Sequence, residues 1–426
     1  MRKLSFSAMF VLLICVLSLY LPMLYTKIFI QEVENTHLFY SPVSKQFIYK
    51  EELTGPLPAE SIAKAEDHHQ GIAYRNQHGE WFNRVEFEKQ LPFIYYKNME
   101  LWGLLPLNID GKVLDKKTIQ SNRMVLALHS GEISDRGPHT DLYPLFESNL
   151  NQVRLVFPED RFRMTSEAMQ FINADTNSED SSLTGLFTSA LIDKGFVFPA
   201  RSVNGKFTVL KPYDEGAFLV DANYNVYHVQ RNDDKPVVTK TPIPSDLKTR
   251  FIKVSENKSR KNLGLLLAGN GELFVLTNNN YSLFQLPLEK YNANTMDFKM
   301  ISNPLFITAI YSDHETVRAI AMDKEYKPVD QFEHRMSRAN VTTTKKLYDL
   351  LFPFSLQLTQ DDGAYLHSGV RFGSWISFIG LMFCSMVLFV WRKMGRENRV
   401  PLGREVGLVA LCGIFGLLAL VIMRDD

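Results

Sequence analysis

The central part of this chain has no cysteine. The only three, Cys15, Cys384 and Cys412, lie inside apolar runs near the two ends. There cysteine behaves as a small hydrophobe. Residues 26–371 therefore hold no disulfide framework, no thiolate zinc site and no Cys–His nucleophile. Several other signatures are missing. No G-x-x-x-x-G-K-[ST] loop occurs, so the chain supplies no ATPase of its own, and no G-x-S-x-G elbow marks a serine hydrolase. Basic excess is lacking too: 47 Lys and Arg balance 47 Asp and Glu over 426 residues. The central region is slightly acidic, which argues against a nucleic-acid partner. No cofactor and no catalytic or metal-ligating set is expected, and the chain reads as a non-enzyme.

What is present is apolar sequence in three long runs. The first occupies residues 1–25, where Arg2 and Lys3 precede Leu4–Tyr25. It is longer than a signal-peptide core and no small-residue cleavage site follows it, so it reads as an uncleaved signal-anchor with Pro22 near its outer end. The others are Phe372–Val390 and Val406–Met423, each about long enough to cross a bilayer. Between them, residues 391–405 carry Arg392, Lys393, Arg396, Arg399 and Arg404 against Glu397 and Glu405. An Arg/Lys excess in a short loop marks the cytoplasmic side. The expected layout has three transmembrane helices, a cytoplasmic N-terminus and basic loop, and a large extracytoplasmic domain. Trp375 and Trp391 fall where an interfacial belt would place them. With no disulfides in an exported domain, the location is read as the bacterial inner membrane, with the main domain and C-terminus periplasmic.

The extracytoplasmic domain is expected to be mixed α+β and mostly β. An α+β subdomain spans 26–180 and a β-rich one 181–371, with the polar stretch Asp175–Ser181 as the seam. In the first, a turn at Asn76–Glu80 separates two strands. Asn83–Gln90 is a short surface helix, and Leu91–Gly111 is an aromatic core segment. Arg123–His129 and Val153–Phe157 are strands, and Thr165–Asn173 is a helix. Leu183, Leu186, Phe187, Ala190 and Leu191 have helical spacing and predict a second helix over Ser182–Lys194, with serine at its start and Gly195 at its end. Asn204-Gly205 is a hairpin signal. Three segments then resemble one another: AFLVDANYNVYHV, LLLAGNGELFVL and TAIYSDHETVRAIAM. Each is strand, polar turn, strand, and they recur about every 45 residues, a period of multi-strand units. This predicts propeller blades or an open stack of β-meanders. Arg335–Phe352 is expected to be helical, and Ser355–Arg371 leads to the membrane with a turn at Asp361–Gly363.

Candidate chemistry is sparse. HSGEISDRGPHTD places His129, Glu132, Asp135, His139 and Asp141 together, residue types that bind zinc or manganese, yet the spacing fits no metal motif and the glycines and proline read as a solvated loop. Asp67-His68-His69 is weaker, because adjacent residues on an extended chain point apart. Glu159-Asp160 and Asp214-Glu215 read as ordinary surface carboxylates. Gly407, Gly413 and Gly416 would let a partner helix approach the last span closely.

Several segments resemble an uncharacterised bacterial membrane family, domain of unknown function 4857. They are LPFIYY at 91–96, DLYPLFES at 141–148, FPEDRFRMT at 157–165, KGFVFPA at 194–200 and YDEGAFLVDA at 213–222. The resemblance implies no catalytic residues. It does imply an association with ABC-type exporter components. The expected function is thus a periplasmic binding or scaffold protein, accessory to the permease and ATPase subunits of an ABC-type transport complex. The alternatives are a periplasmic ligand sensor and a membrane-anchored hydrolase or metal-dependent enzyme using the His129–Asp141 loop.

Overall fold

The computed structural model describes every residue except 1, 31–32, 54–58, 60–70, 134–140, 150–153, 361–365, 395–401 and 424–426. The chain is mixed α+β, built from many antiparallel sheets. It divides into two compact units. One comprises Met1–Asn35, Glu51–Ile62 and Met336–Asp426; the other comprises Thr36–Lys50 and Ala63–Arg335. The boundary expected at 180/181 lies inside the second unit.

In that second unit the strands, in chain order, begin with β1 (His37–Tyr40), β2 (Phe47–Glu52) and β3 (Ile72–Asn76), which form one sheet. The turn after β3 closes through a bridge between Arg75 and Trp81. Arg84–Gln90 is helical because Asn83 and Glu86 form a reciprocal capping box. It is not only a surface helix, since Phe87 is fully buried. A small hairpin, β4 (Leu107–Ile109) and β5 (Lys112–Leu114), is followed by β6 (Met124–Leu128). Arg154–Phe157 is irregular where a strand was expected. Thr165–Asn173 is not helical either. β7 (Asp160–Met164) pairs with β8 (Met169–Asn173), and the Thr165 hydroxyl closes the turn between them by accepting from Ala168 N at 3.0 Å. The seam Asp175–Ser181 instead holds the short strand β9 (Ser178–Glu179) and the N-cap Asp180. The Asp180 carboxylate accepts from Leu183 N, starting the helix Ser181–Asp193 as its spacing predicted.

Among the described residues fourteen further strands follow, twelve of them in this unit. β10 (Ser202–Gly205), β11 (Ala217–Val220), β12 (Val226–Asn232) and β13 (Lys235–Lys240) form a four-stranded meander. β14 (Phe251–Val254), β15 (Asn262–Leu267), β16 (Leu273–Thr277) and β17 (Leu283–Gln285) form a second. β18 (Asp297–Ser302), β19 (Ile307–Ser312), β20 (Thr316–Met322) and β21 (Pro328–Arg335) form a third, to which β6 adds as a fifth strand beside β18. The three repeated segments are thus the middle hairpins β11–β12, β15–β16 and β19–β20. Asn204-Gly205 makes no hairpin and lies within strand β10.

The meanders pack face to face. Ala217 and Leu219 face Phe187 and Leu191 of the Ser181–Asp193 helix, while Phe218 and Val220 face Ile252, Leu266 and Leu276 of the second meander. Leu265, Leu267, Leu273 and Val275 turn the other way, toward Phe298, Met300 and Ala309 of the third. Because successive side chains point to opposite faces, a strand sandwiched on both sides must be apolar at every position. This is why NLGLLL and LFVLT read as unbroken runs. Among the described residues the sheets close into no barrel or propeller, so the architecture is the open stack rather than the ring.

In the first unit the N-terminal helix runs from Arg2 to Phe29, continuing through Pro22. Its segment Ala8–Phe29 is long and apolar enough to cross a membrane, and it alone passes that test among the described residues. Three such helices are therefore not supported. The second apolar run begins in strand and becomes helical only at Ser377–Met394. The third is split at Gly413, whose φ of +58° ends the helix Leu402–Cys412 before Ile414–Ile422 begins. Only Thr343–Leu351 of the expected 335–352 helix is α-helical, capped by Thr342. β22 (Phe354–Gln360) and β23 (Leu366–Phe372) form a hairpin where a lead-in to the membrane was expected. The turn Asp361–Gly363 lies outside the described residues.

Candidate functional site

Among the strands that end their sheets in the second unit are β10, β14 and β6. A cleft of about 530 Å³ is lined by all three. It takes consecutive residues from each, Val125–Ala127, Val203–Phe207 and Phe251–Val254. Only alternate residues would line a pocket lying over a sheet face. Consecutive ones mean that the cleft meets the strands in the hydrogen-bonding direction, where edges leave N–H and C=O groups unpaired by their own sheet. Asn204 ties two of these edges together: its side chain accepts from Ile252 N at 3.0 Å and donates to Ser202 Oγ at 3.0 Å.

Polar side chains stand around the cleft. Lys253 forms an ion pair with Glu132. His129 Nδ1 lies 3.6 Å from Asp297 Oδ2, both half exposed. The Tyr143 hydroxyl donates to Asp141 Oδ1 at 3.0 Å, and its ring packs on Phe207 with centroids 4.9 Å apart. Burial, with help from Asp141, pushes the Tyr143 hydroxyl up to about 12, so it stays protonated at neutral pH. Glu256, at the end of the cleft, is wholly buried.

Below Glu256 lies a buried charge network. Lys211 Nζ donates to Asp214, to Glu256 Oε1 at 2.7 Å and to the Lys206 carbonyl at 2.7 Å, and sits 4.9 Å from the Phe146 ring centroid. The side chains of Lys211, Asp214 and Glu256 are 1%, 3% and 0% exposed, so bulk solvent reaches none of them. Asp214 also accepts from Ser148 Oγ at 2.9 Å and Gly216 N at 2.8 Å. Glu256 Oε1 accepts from Glu215 N at 3.0 Å, while Oε2 has no partner. Burial raises the Glu256 carboxyl, against the opposing pull of Lys211, and burial raises Glu215 as well. Gly216 is required here: its φ is +81°, and a Cβ would collide with the Val229 carbonyl.

Asp214-Glu215 is therefore not a surface pair. Asp160 is also buried, holding Arg231 Nη1 through both oxygens at 2.9 and 2.8 Å. Sequence reasoning missed Lys211 and Glu256. Lys211 at i−3 from Asp214 was a local signal, but Glu256 comes from the distant loop after β14. The motifs DLYPLFES, FPEDRFRMT and YDEGAFLVDA contribute Ser148, Asp160 and Asp214 to these buried links, which accounts for them as structural segments.

Of the metal candidates, His129 and Glu132 line the cleft, Asp141 holds Tyr143, and Asp135 and His139 lie outside the described residues. So do Asp67, His68 and His69. No group of three potential ligands occurs among the described residues. Of the three glycines in the last apolar run, Gly407 is exposed with open space around it, whereas Gly413 and Gly416 are closed off within the chain. A Cβ on Gly413 would meet Leu381 and Pro353, and one on Gly416 would meet Cys412, all in the same unit. The close helix approach sits instead at Gly380, where a Cβ would collide with the Leu350 carbonyl.

Comparison with curated proteins finds no match. Residues 37–322, two thirds of the chain and all of the strands around the cleft, match the model of the family described as domain of unknown function (DUF4857). The chain belongs to that family.

Proposed function

We propose that this protein is a membrane-anchored, non-enzymatic binding subunit, accessory to an ABC-type transport complex. The carrying observation is the cleft at three free strand edges. Edges of this kind bind an extended polypeptide by main-chain pairing, with side-chain pockets adding selectivity. The polar groups around it are engaged with one another rather than arranged as acid, base and nucleophile. The partner is a segment of the permease subunit. The N-terminal helix anchors the chain in the inner membrane, with Arg2 and Lys3 inside and the stacked sheets in the periplasm, in keeping with the positive-inside rule. Ser377–Met394 and the split helices after Leu402 complete the membrane portion. Arg392 and Glu405 pair across the basic segment, Nε to Oε2 at 2.8 Å, joining its two ends.

The test is purification of the tagged full-length protein in a mild detergent, followed by mass spectrometry. Stoichiometric recovery of a permease and its ATPase supports the proposal. Recovery of the protein alone contradicts it.

A further inference from the structure

The charges around the cleft at the strand edges do not cancel. Apart from Tyr143, the ionisable side chains that line it are His129, Glu132, Lys206, Lys253 and Glu256. Lys253 pairs with Glu132, Glu256 with Lys211, and His129 has Asp297 at 3.6 Å. Lys206 is the exception. Among the described residues its ammonium has no ion pair, hydrogen bond or ring partner.

The place of this lysine is fixed from below. It follows directly on β10, and its carbonyl accepts from Lys211 Nζ at 2.7 Å and from Thr208 N at 3.0 Å. On one side Asn204 is tied to Ile252 N, and on the other Phe207 packs on Tyr143. The buried Lys211 network thus pins the backbone from which the Lys206 side chain starts, and that residue is half-buried at the cleft.

On an open surface a lysine is satisfied by water. An extended segment entering this cleft to pair with the strand edges would displace water from around Lys206, and the ammonium then needs an acceptor of opposite charge. A carboxylate supplies it, because a charge-assisted hydrogen bond is roughly twice as strong as a neutral one. A basic side chain at that place would set two like charges together.

We propose that the segment bound in the cleft carries a carboxylate that pairs with Lys206. The carboxylate belongs to an aspartate or glutamate side chain or to a free chain end. This pairing presupposes the reading of the cleft as a site for an extended polypeptide: the strand edges supply affinity, and Lys206 selects by charge.

The test is fluorescence anisotropy, with the full-length protein in mild detergent and heptapeptides of alternating valine and threonine that carry an uncharged fluorophore. The first peptide has a central aspartate and an amidated end. The second has a central asparagine and an amidated end, and the third a central asparagine and a free carboxyl end. At least one of the two carboxylate peptides should bind about tenfold more tightly than the second, the scale of one charge-assisted hydrogen bond. Which of them gains tells side chain from chain end. Lys206→Gln should abolish the gain and Lys206→Arg should keep it. Equal affinities for all three peptides, or a gain that survives in Lys206→Gln, would overturn the pairing and leave the strand-binding cleft standing. Binding of none of them would overturn both.

Discussion

Two hairpins in this chain use similar residues toward opposite ends. β15–β16 and β22–β23 are both antiparallel and both rich in leucine and phenylalanine. In β15–β16 every residue of both strands is buried, because another meander covers each face. In β22–β23 the apolar residues alternate with polar ones, and Leu358, Val370 and Phe372 face outward. The first pattern can be satisfied only by protein on both sides. The second needs an apolar phase on one side and water on the other. What differs is not the amount of hydrophobic residue but its period, and period decides which environment the strand is built for.

That contrast can be broken by substitution, measured as the denaturant midpoint of the detergent-solubilised full-length chain. The largest effect is expected at Lys211→Ala, which strands Asp214 and Glu256 without their cation. Removing one partner of a buried pair costs about 3–5 kcal/mol. Leu276→Ala, in the face shared by the first two meanders, should cost about 2–5 kcal/mol by leaving a cavity. Gly264→Ala is next, at about 1–3 kcal/mol from overpacking, because a Cβ there would run into the Lys253 carbonyl. Leu358→Ala, on the exposed face of β22, should change the midpoint by less than about 0.5 kcal/mol. Equal effects at Leu276 and Leu358 would erase the distinction between the two hairpins.

A pH series sharpens the same comparison. Burial holds Glu256 and Glu215 above the usual carboxylate value of 4.5. The folded chain therefore binds these protons more tightly than the unfolded chain does. By linkage, their contribution to stability is fully present below 4.5 and is lost as pH rises through the raised values. The denaturation midpoint should fall over that window, and Glu256→Gln should flatten the fall. A midpoint that rises there in the variant and native chains alike would contradict this.

Local grammar was legible in the sequence. The 183–191 spacing and Gly195 marked the Ser181–Asp193 helix, although its cap is Asp180 and not the expected serine, and the three repeated hairpins stand where the repeat put them. What failed had nonlocal causes. Asn204 looks like a turn residue, but its amide is spent on a strand of the next sheet. Thr165–Asn173 looks like a helix until the Thr165 turn and the β7 partner are known. The run after Val406 has the length of a span, yet the backbone of Gly413 divides it. The cleft was illegible for a related reason. Its shape comes from sheet edges, and main-chain groups leave no mark in a sequence. His129 and Glu132, weighed as metal ligands, and Asn204-Gly205, weighed as a turn, line it for reasons the sequence did not give.

The most direct measurement places a photo-crosslinking amino acid at Phe207, inside the cleft, and a control at Leu210, which is 85% exposed. Both variants are irradiated in native membranes. A crosslink to the permease subunit from position 207 and none from 210 is the expected result. No crosslink at 207, or equal crosslinks at both, would contradict the cleft as the partner-binding site.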